Sequence, residues 1–157
     1  MFFKKKESYI TAYTDGTIIP ISEVKDEVFS QKMMGDGLAI YPESDTIYAP
    51  CDGIITAVFD QTQHAVGITM ENGMEILLHV GLDTVNLHEP IFHTHVKKDE
   101  AVKQGQTLIT YDKEALAALG YSDVTMCVIL SNGNTKEVEL LKETKAVANK
   151  TNIIRYK

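Results

Sequence analysis

The sequence predicts an all-β fold, an antiparallel sandwich or barrel-like arrangement with one or two short helices. Three observations carry that prediction. Turn signals recur along the chain: Asp15-Gly16, Gly35-Asp36-Gly37, Asp52-Gly53, Asn72-Gly73 and Asn132-Gly133. Between them lie short runs rich in β-branched residues, and only two stretches read as helix. Many short strands joined by glycine-containing turns argue for a sandwich or barrel.

The clearest strands are Gly53 to Phe59, Ala65 to Met70, Ile76 to Val80 and Val124 to Leu130. Ser22 to Met34 reads as a helical turn or two, with Ser22 available as the N-cap. Asp112 to Gly120 is a better helix: aspartate caps the start, alanine and leucine fill it, and glycine lies past its end. A faint repeat runs at an offset of 37, where Ile10, Ala12, Asp15, Gly16 and Ile18 recur as Ile47, Ala49, Asp52, Gly53 and Ile55. Shared turn chemistry would produce such a likeness, and so would a duplicated structural motif.

The 157 residues fit one domain, with residues 1–8 expected as a flexible tail. A formal charge of −7 argues against nonspecific nucleic-acid binding and leaves room for a basic protein partner. No apolar run approaches the ~18 residues of a membrane span. The opening MFFKKKESY lacks the long apolar core of a secretory signal. Cys51 and Cys127 form neither a metal pattern nor a disulfide framework. They read as reduced thiols of a cytoplasmic protein.

Chemistry enters at QTQHAVGITMENGMEILLHVG, Gln61 to Gly81, which places a histidine on each arm of an Asn-Gly hairpin. With Asn72-Gly73 as a two-residue turn, Glu71 pairs with Met74 and His64 falls opposite Gly81. His79 is then two positions from that partner, so both rings leave one face, with Cβ atoms roughly 5–8 Å apart. Moving the turn to Glu71-Asn72 sets them directly opposite. A three-residue loop, or a bulge, sends them to opposite faces.

Two adjacent imidazoles do not both charge comfortably, so at least one stays neutral near pH 7. Its free nitrogen can serve as a metal ligand or as a nucleophile. A zinc site needs further ligands, and His88, His93 and His95 follow a segment whose geometry Pro90 obscures. The nucleophile reading draws on Thr62, whose hydroxyl leaves the same strand face as His64 and can accept the Nδ1 proton, leaving Nε2 facing the site. Gly81 leaves space beside His79. Asp83 is either an orienting carboxylate or the opening of a turn.

EILLHVGLDTVNL, Glu75 to Leu87, closely resembles the segment around the phosphorylated histidine of glucose-type enzyme IIA domains in the phosphoenolpyruvate-dependent sugar phosphotransferase system. IPISEVKDEVFSQKMMGDGLAI, YAPCDGIITAVF, TQHAVGI, VKKDEAVKQGQTLITYD and NIIRYK resemble further blocks in the same order, covering about Gly16 to Tyr156. The resemblance implies an antiparallel β-sandwich with a duplicated motif and no bound cofactor. It implies that His79 takes a phosphoryl group on Nε2 from the histidine-containing phosphocarrier protein and passes it to an enzyme IIB domain. By the same resemblance His64 hydrogen-bonds the phosphate, Thr62 and the Gly81 carbonyl orient the two rings, and Asp26 and Asp83 are rim carboxylates. Phe29, Met33, Met34, Phe59 and Val85 fall where the family has an apolar collar for flat partners; Met33 and Met34 would otherwise fill gaps in the core.

Two departures stand out. NLHEPIF, Asn86 to Phe92, replaces the family's usual NLNGEGF, which bears on partner specificity. One extra residue between Phe59 and Thr62 calls for a bulge. No fused transport or IIB domain is evident. A regulatory module that uses the same face to control a permease or metabolic enzyme is the main alternative, and a zinc ion shared by His64, His79 and a partner carboxylate is conceivable there. A lysostaphin-type zinc endopeptidase fits least, because no histidine follows His95 to complete its ligands.

Overall fold

A computed structural model describes residues 7–157. In chain order, β1 is Ser8–Thr11, β2 Gly16–Pro20, β3 Gly37–Pro42, β4 Thr46–Tyr48, β5 Gly53–Val58, β6 Ala65–Thr69 and β7 Glu75–Val80. There follow β8 Phe92–Thr94, β9 Ala101–Val102, β10 Thr107–Tyr111, β11 Thr125–Ser131, β12 Val138–Leu140, β13 Lys145–Ala146 and β14 Asn152–Tyr156. The helices are α1, Glu27–Ser30, and α2, Lys113–Ala118. Ser8 pairs with Tyr156 in β1, so the tail expected over residues 1–8 stops short of it, and residues 1–6 lie outside the described residues. No helix among the described residues is long and apolar enough to cross a membrane.

All strand pairs are antiparallel. The largest sheet runs β13-β2-β3-β11-β7-β6-β5-β9, and two three-stranded sheets, β1-β14-β12 and β4-β10-β8, complete the sandwich. Alternation divides the large sheet's side chains between two cores. Leu38, Cys127, Leu78 and Val66 stand in one row across β3, β11, β7 and β6 and face the main core. The next row is Ala39, Met126, His79 and Ala65, and its apolar members join a smaller core with Ile21, Val24 and Phe29. The segment 21–34 therefore covers the back of the sheet, and His79 is the one polar member of the covered row.

The faint repeat is a structural duplication. Thr11 N–H donates to the Pro50 carbonyl at 3.0 Å and Tyr48 N–H to the Tyr13 carbonyl at 2.8 Å, so equivalent positions exchange reciprocal bonds. Asp15 and Asp52 each accept a main-chain N–H at 2.8 Å, from Ala148 and Gln104. Each copy continues into a strand edged by a two-residue strand, β13 on β2 and β9 on β5.

The helical segments divide. Asp112 caps α2 by accepting from Ala115 N–H at 3.0 Å, as the sequence predicts. Ser22 is not a cap: it lies inside a 3-10 turn, Ile21–Glu23, and α1 is capped by Asp26, which accepts from Val28 N–H at 2.9 Å. Cys51 and Cys127 are free and buried, and burial pushes both thiols up.

Candidate functional site

The hairpin that carries both histidines closes differently from the sequence expectation. Met70 N–H donates to the Met74 carbonyl at 2.8 Å, leaving Glu71-Asn72-Gly73 as a three-residue loop with Gly73 at φ 85°. His79 pairs with Ala65, and His64 falls opposite Val80 instead of Gly81. Strict alternation would now separate the two rings. They meet nonetheless, because β6 begins at Ala65 and the chain just before it leaves the pleat. Asp60–Thr62 form a turn, and Gln63 N–H bonds the Phe59 carbonyl at 2.7 Å. Gln63 itself sits at φ 59°, which turns His64 onto the His79 face. A turn stands here in place of the bulge expected between Phe59 and Thr62.

The rings of His64 and His79 stand edge to face, with centroids 4.6 Å apart and planes at 84°. Phe29 closes on His79 at 5.0 Å, Phe59 on His64 at 5.2 Å, and Phe92 on His64 at 6.4 Å. His64 is 1% exposed, and its Nδ1 hydrogen-bonds the Thr62 hydroxyl at 2.5 Å. Nδ1 of His79 is sealed from solvent and has no partner within hydrogen-bond geometry, the one such side-chain atom among the described residues. That leaves Nε2 as the nitrogen a second molecule can reach on this half-buried ring.

Both rings are neutral at pH 7. Burial, with the neighbouring His79 adding to it, lowers His64 from 6.5 to about 4. Burial also lowers His79, opposed by the backbone of Gly81 and of His79 itself and by the Asp26 carboxylate. As pH falls, the unfolded chain protonates its histidines near 6.5 while folded His64 waits until about 4, so stability drops across that window. The full His64 contribution is on the order of 3 kcal/mol. Urea midpoints at neutral and mildly acid pH should therefore converge more in His64→Gln than in the wild type; equal acid losses in both proteins would contradict this.

Gly81 follows β7 at φ 85°. A Cβ there would press on Thr84 Cγ2 and lie 2.8 Å from the Ser122 carbonyl oxygen. Thr84 cannot retreat freely, since its buried hydroxyl donates to the Val80 carbonyl at 2.6 Å. Gly81→Ala should cost about 1–3 kcal/mol and shift the His79 side-chain resonances, as read by urea denaturation and NMR. Asp83 is exposed and left-handed (φ 60°), opening the 3-10 turn Thr84–Asn86 without a side-chain capping bond. Its place agrees with the turn reading.

Met33 (70% exposed) and Val85 (56%), with half-exposed Met34 and Phe59, are apolar side chains on the segments that carry or cover the histidines. Met33 is therefore not a core filler. Phe29 corrects the expected collar: it is 6% exposed and packs under the site, while its neighbour Val28 is exposed. Val28 carried no sequence signal, and Phe92 was hidden behind Pro90. His93 and His95 form a separate exposed pair with centroids 5.4 Å apart, His95 Nε2 lying 2.7 Å from Thr110 Oγ1.

A neutral imidazole with a reachable Nε2 beside a second one, ringed by apolar groups on a β-sandwich, has the geometry to carry a transferable group on nitrogen. The family model for the phosphoenolpyruvate-dependent sugar phosphotransferase system, EIIA 1, matches residues 8–135. The PTS system glucose-specific EIIA component of Oceanobacillus iheyensis is 41% identical over 150 residues, 96% of this chain and 90% of that protein. The glucose-specific EIICBA component of Streptococcus pneumoniae is 38% identical over 153 residues, 98% of this chain but 21% of that longer protein. The solved glucose permease IIA from Mycoplasma capricolum superposes with a TM-score of 0.88 at 39% identity, covering 98% of this chain and 99% of that one. The chain belongs to the EIIA 1 family of the sugar phosphotransferase system. It is a phosphotransferase component, a phosphocarrier that serves an EIIB domain in sugar uptake.

Proposed function

We propose that His79 is the phosphoryl acceptor, loaded on Nε2 by the histidine-containing phosphocarrier protein and unloaded onto an enzyme IIB domain in the cytoplasm. The glucose-specific names of the relatives make glucose the first sugar to test. The observation that carries this reading is the edge-to-face pair at 4.6 Å, with a reachable Nε2 on His79 and a sealed Nδ1. With the proton of the neutral ring on the sealed Nδ1, Nε2 keeps its lone pair. That lone pair attacks phosphorus as the donor's N–P bond breaks; one N–P bond replaces another, and the work left to the protein is alignment and charge neutralisation.

His64 supplies the neutralisation. In this reading the Thr62 hydroxyl donates across its short contact with Nδ1 of His64, the reverse of the direction expected from the sequence, so that the proton of that ring stands on Nε2, toward the phosphoryl oxygens. Met33, Met34, Phe59, Val85 and Val28 meet the flat partner and exclude water that would hydrolyse the phosphohistidine. Asp26 sits close enough to His79 to favour its charged form, a bias that assists transfer out of the ring.

Incubation with phosphoenolpyruvate, enzyme I and the phosphocarrier protein should add one acid-labile phosphoryl group by intact mass, mapping to His79 on fragmentation. No adduct, or one that maps elsewhere, overturns the assignment.

A further inference from the structure

We propose that Gln63 is a positioning residue for His64: its clamp on Thr94 keeps the chain out of strand alternation and so holds the two imidazoles on one face. In register, His64 stands opposite Val80, whose N–H it accepts at 2.8 Å. Val66 and Val80 face the main core. A regular pleat carried back through residue 64 would aim the ring with them, away from His79. The departure is local to Gln63, whose φ of 59° a side-chain-bearing residue adopts only where its surroundings hold it.

Two bonds provide that hold. Gln63 Oε1 accepts the Thr94 N–H at 2.8 Å, and the Gln63 carbonyl accepts the Thr94 hydroxyl at 3.2 Å. Thr94 ends β8, an outer strand of its sheet, so the clamp uses an edge N–H that the ladder leaves free. It ties the loop before β6 to a different sheet. Gln63 makes no hydrogen bond to either imidazole, so its effect passes through His64.

The consequence for transfer rests on the phosphoryl-site reading given above, and the experiment separates the two. Gln63→Gly keeps the left-handed backbone free of strain while removing the side-chain half of the clamp. Gln63→Glu retains an acceptor at the same reach. Thr94→Val removes only the hydroxyl half. Side-chain nitrogen NMR of the histidines, followed through an acid titration, reads the geometry with no phosphoryl transfer involved.

In Gln63→Gly the His64 ring leaves its burial and the neighbouring His79, and its titration rises from about 4 by about one unit or more. In Gln63→Glu it stays near the wild-type value, and in Thr94→Val it moves the same way as in Gln63→Gly by less. Onward transfer to a IIB domain slows roughly tenfold or more in Gln63→Gly. The double variant Gln63→Gly with His64→Gln is no slower than His64→Gln alone. An unmoved His64 titration in a folded Gln63→Gly protein overturns the proposal, as does multiplicative slowing in the double variant. A shifted titration with unchanged transfer sustains the positioning and removes His64 from the transfer step.

Discussion

His79→Ala should take up no phosphoryl group from the phosphocarrier protein, while the wild type should acquire one. The loss is complete because nothing nearby can stand in. His64 is 1% exposed, its Nδ1 is held by Thr62, and it lies beneath the plane where a partner would dock. His93 and His95 are exposed and bonded into a different sheet edge, outside the apolar rim. The variant should still fold. Loss of ring packing under Phe29 costs stability, but the substitution also deletes the buried, unpartnered Nδ1, so the net change stays within about 1–2 kcal/mol. Intact mass with an acid-hydrolysis control, alongside a thermal melt, decides it. A histidine-linked adduct on a folded His79→Ala protein would remove His79 from the role.

His64→Gln should accept the phosphoryl group at close to the wild-type rate but pass it on roughly 100-fold more slowly. Free His64 is neutral, titrating at about 4. A phosphoryl group on His79 brings negative charge within reach of its Nε2, which favours imidazolium, and the bond it then makes is charge-assisted. Glutamine presents an amide donor of similar reach but carries no charge when the phosphoryl group is most exposed, midway between nitrogens. Rapid-quench measurement of loading and unloading separates the steps. Equal slowing of both would make His64 a loading residue instead.

Legibility in the sequence followed the length of each pattern. β6 and β7 read directly from apolar runs around Asn72-Gly73, and the duplication read from five matched positions in each copy. The pairing of the two histidines was reached from the right residues by the wrong register. A two-residue turn seemed sufficient, whereas the structure combines a three-residue loop with a left-handed Gln63, two departures that cancel. Neither leaves a mark in residue type, since glutamine is not a residue that announces positive φ.

The segment 21–34 that covers the back of the sheet was harder for a related reason. A helix of four residues has no period to detect, so the sequence offers Ser22 as the cap where Asp26 is the one found, and no pattern separates buried Phe29 from exposed Val28. Asp83, Thr62 and Gly81 stand out in the sequence by residue type and by spacing from the histidines. What each touches, above all the Thr84 and Ser122 crowding at Gly81, depends on segments distant in sequence.

The large sheet's two unequal cores have an evolutionary consequence. The strands that hold His79 anchor themselves through Leu78, Val80 and Val66 on the thick side of the sandwich, whereas the surface proposed for a partner belongs to a thin layer of short turns on the other. Replacements at Val28, Met33, Met34 or Val85 thus leave the main core untouched. On the proposed reading, altering a handful of outward side chains exchanges one docking protein for another while keeping the same chemistry beneath, in the way a plug adapter changes its pins and not its wiring.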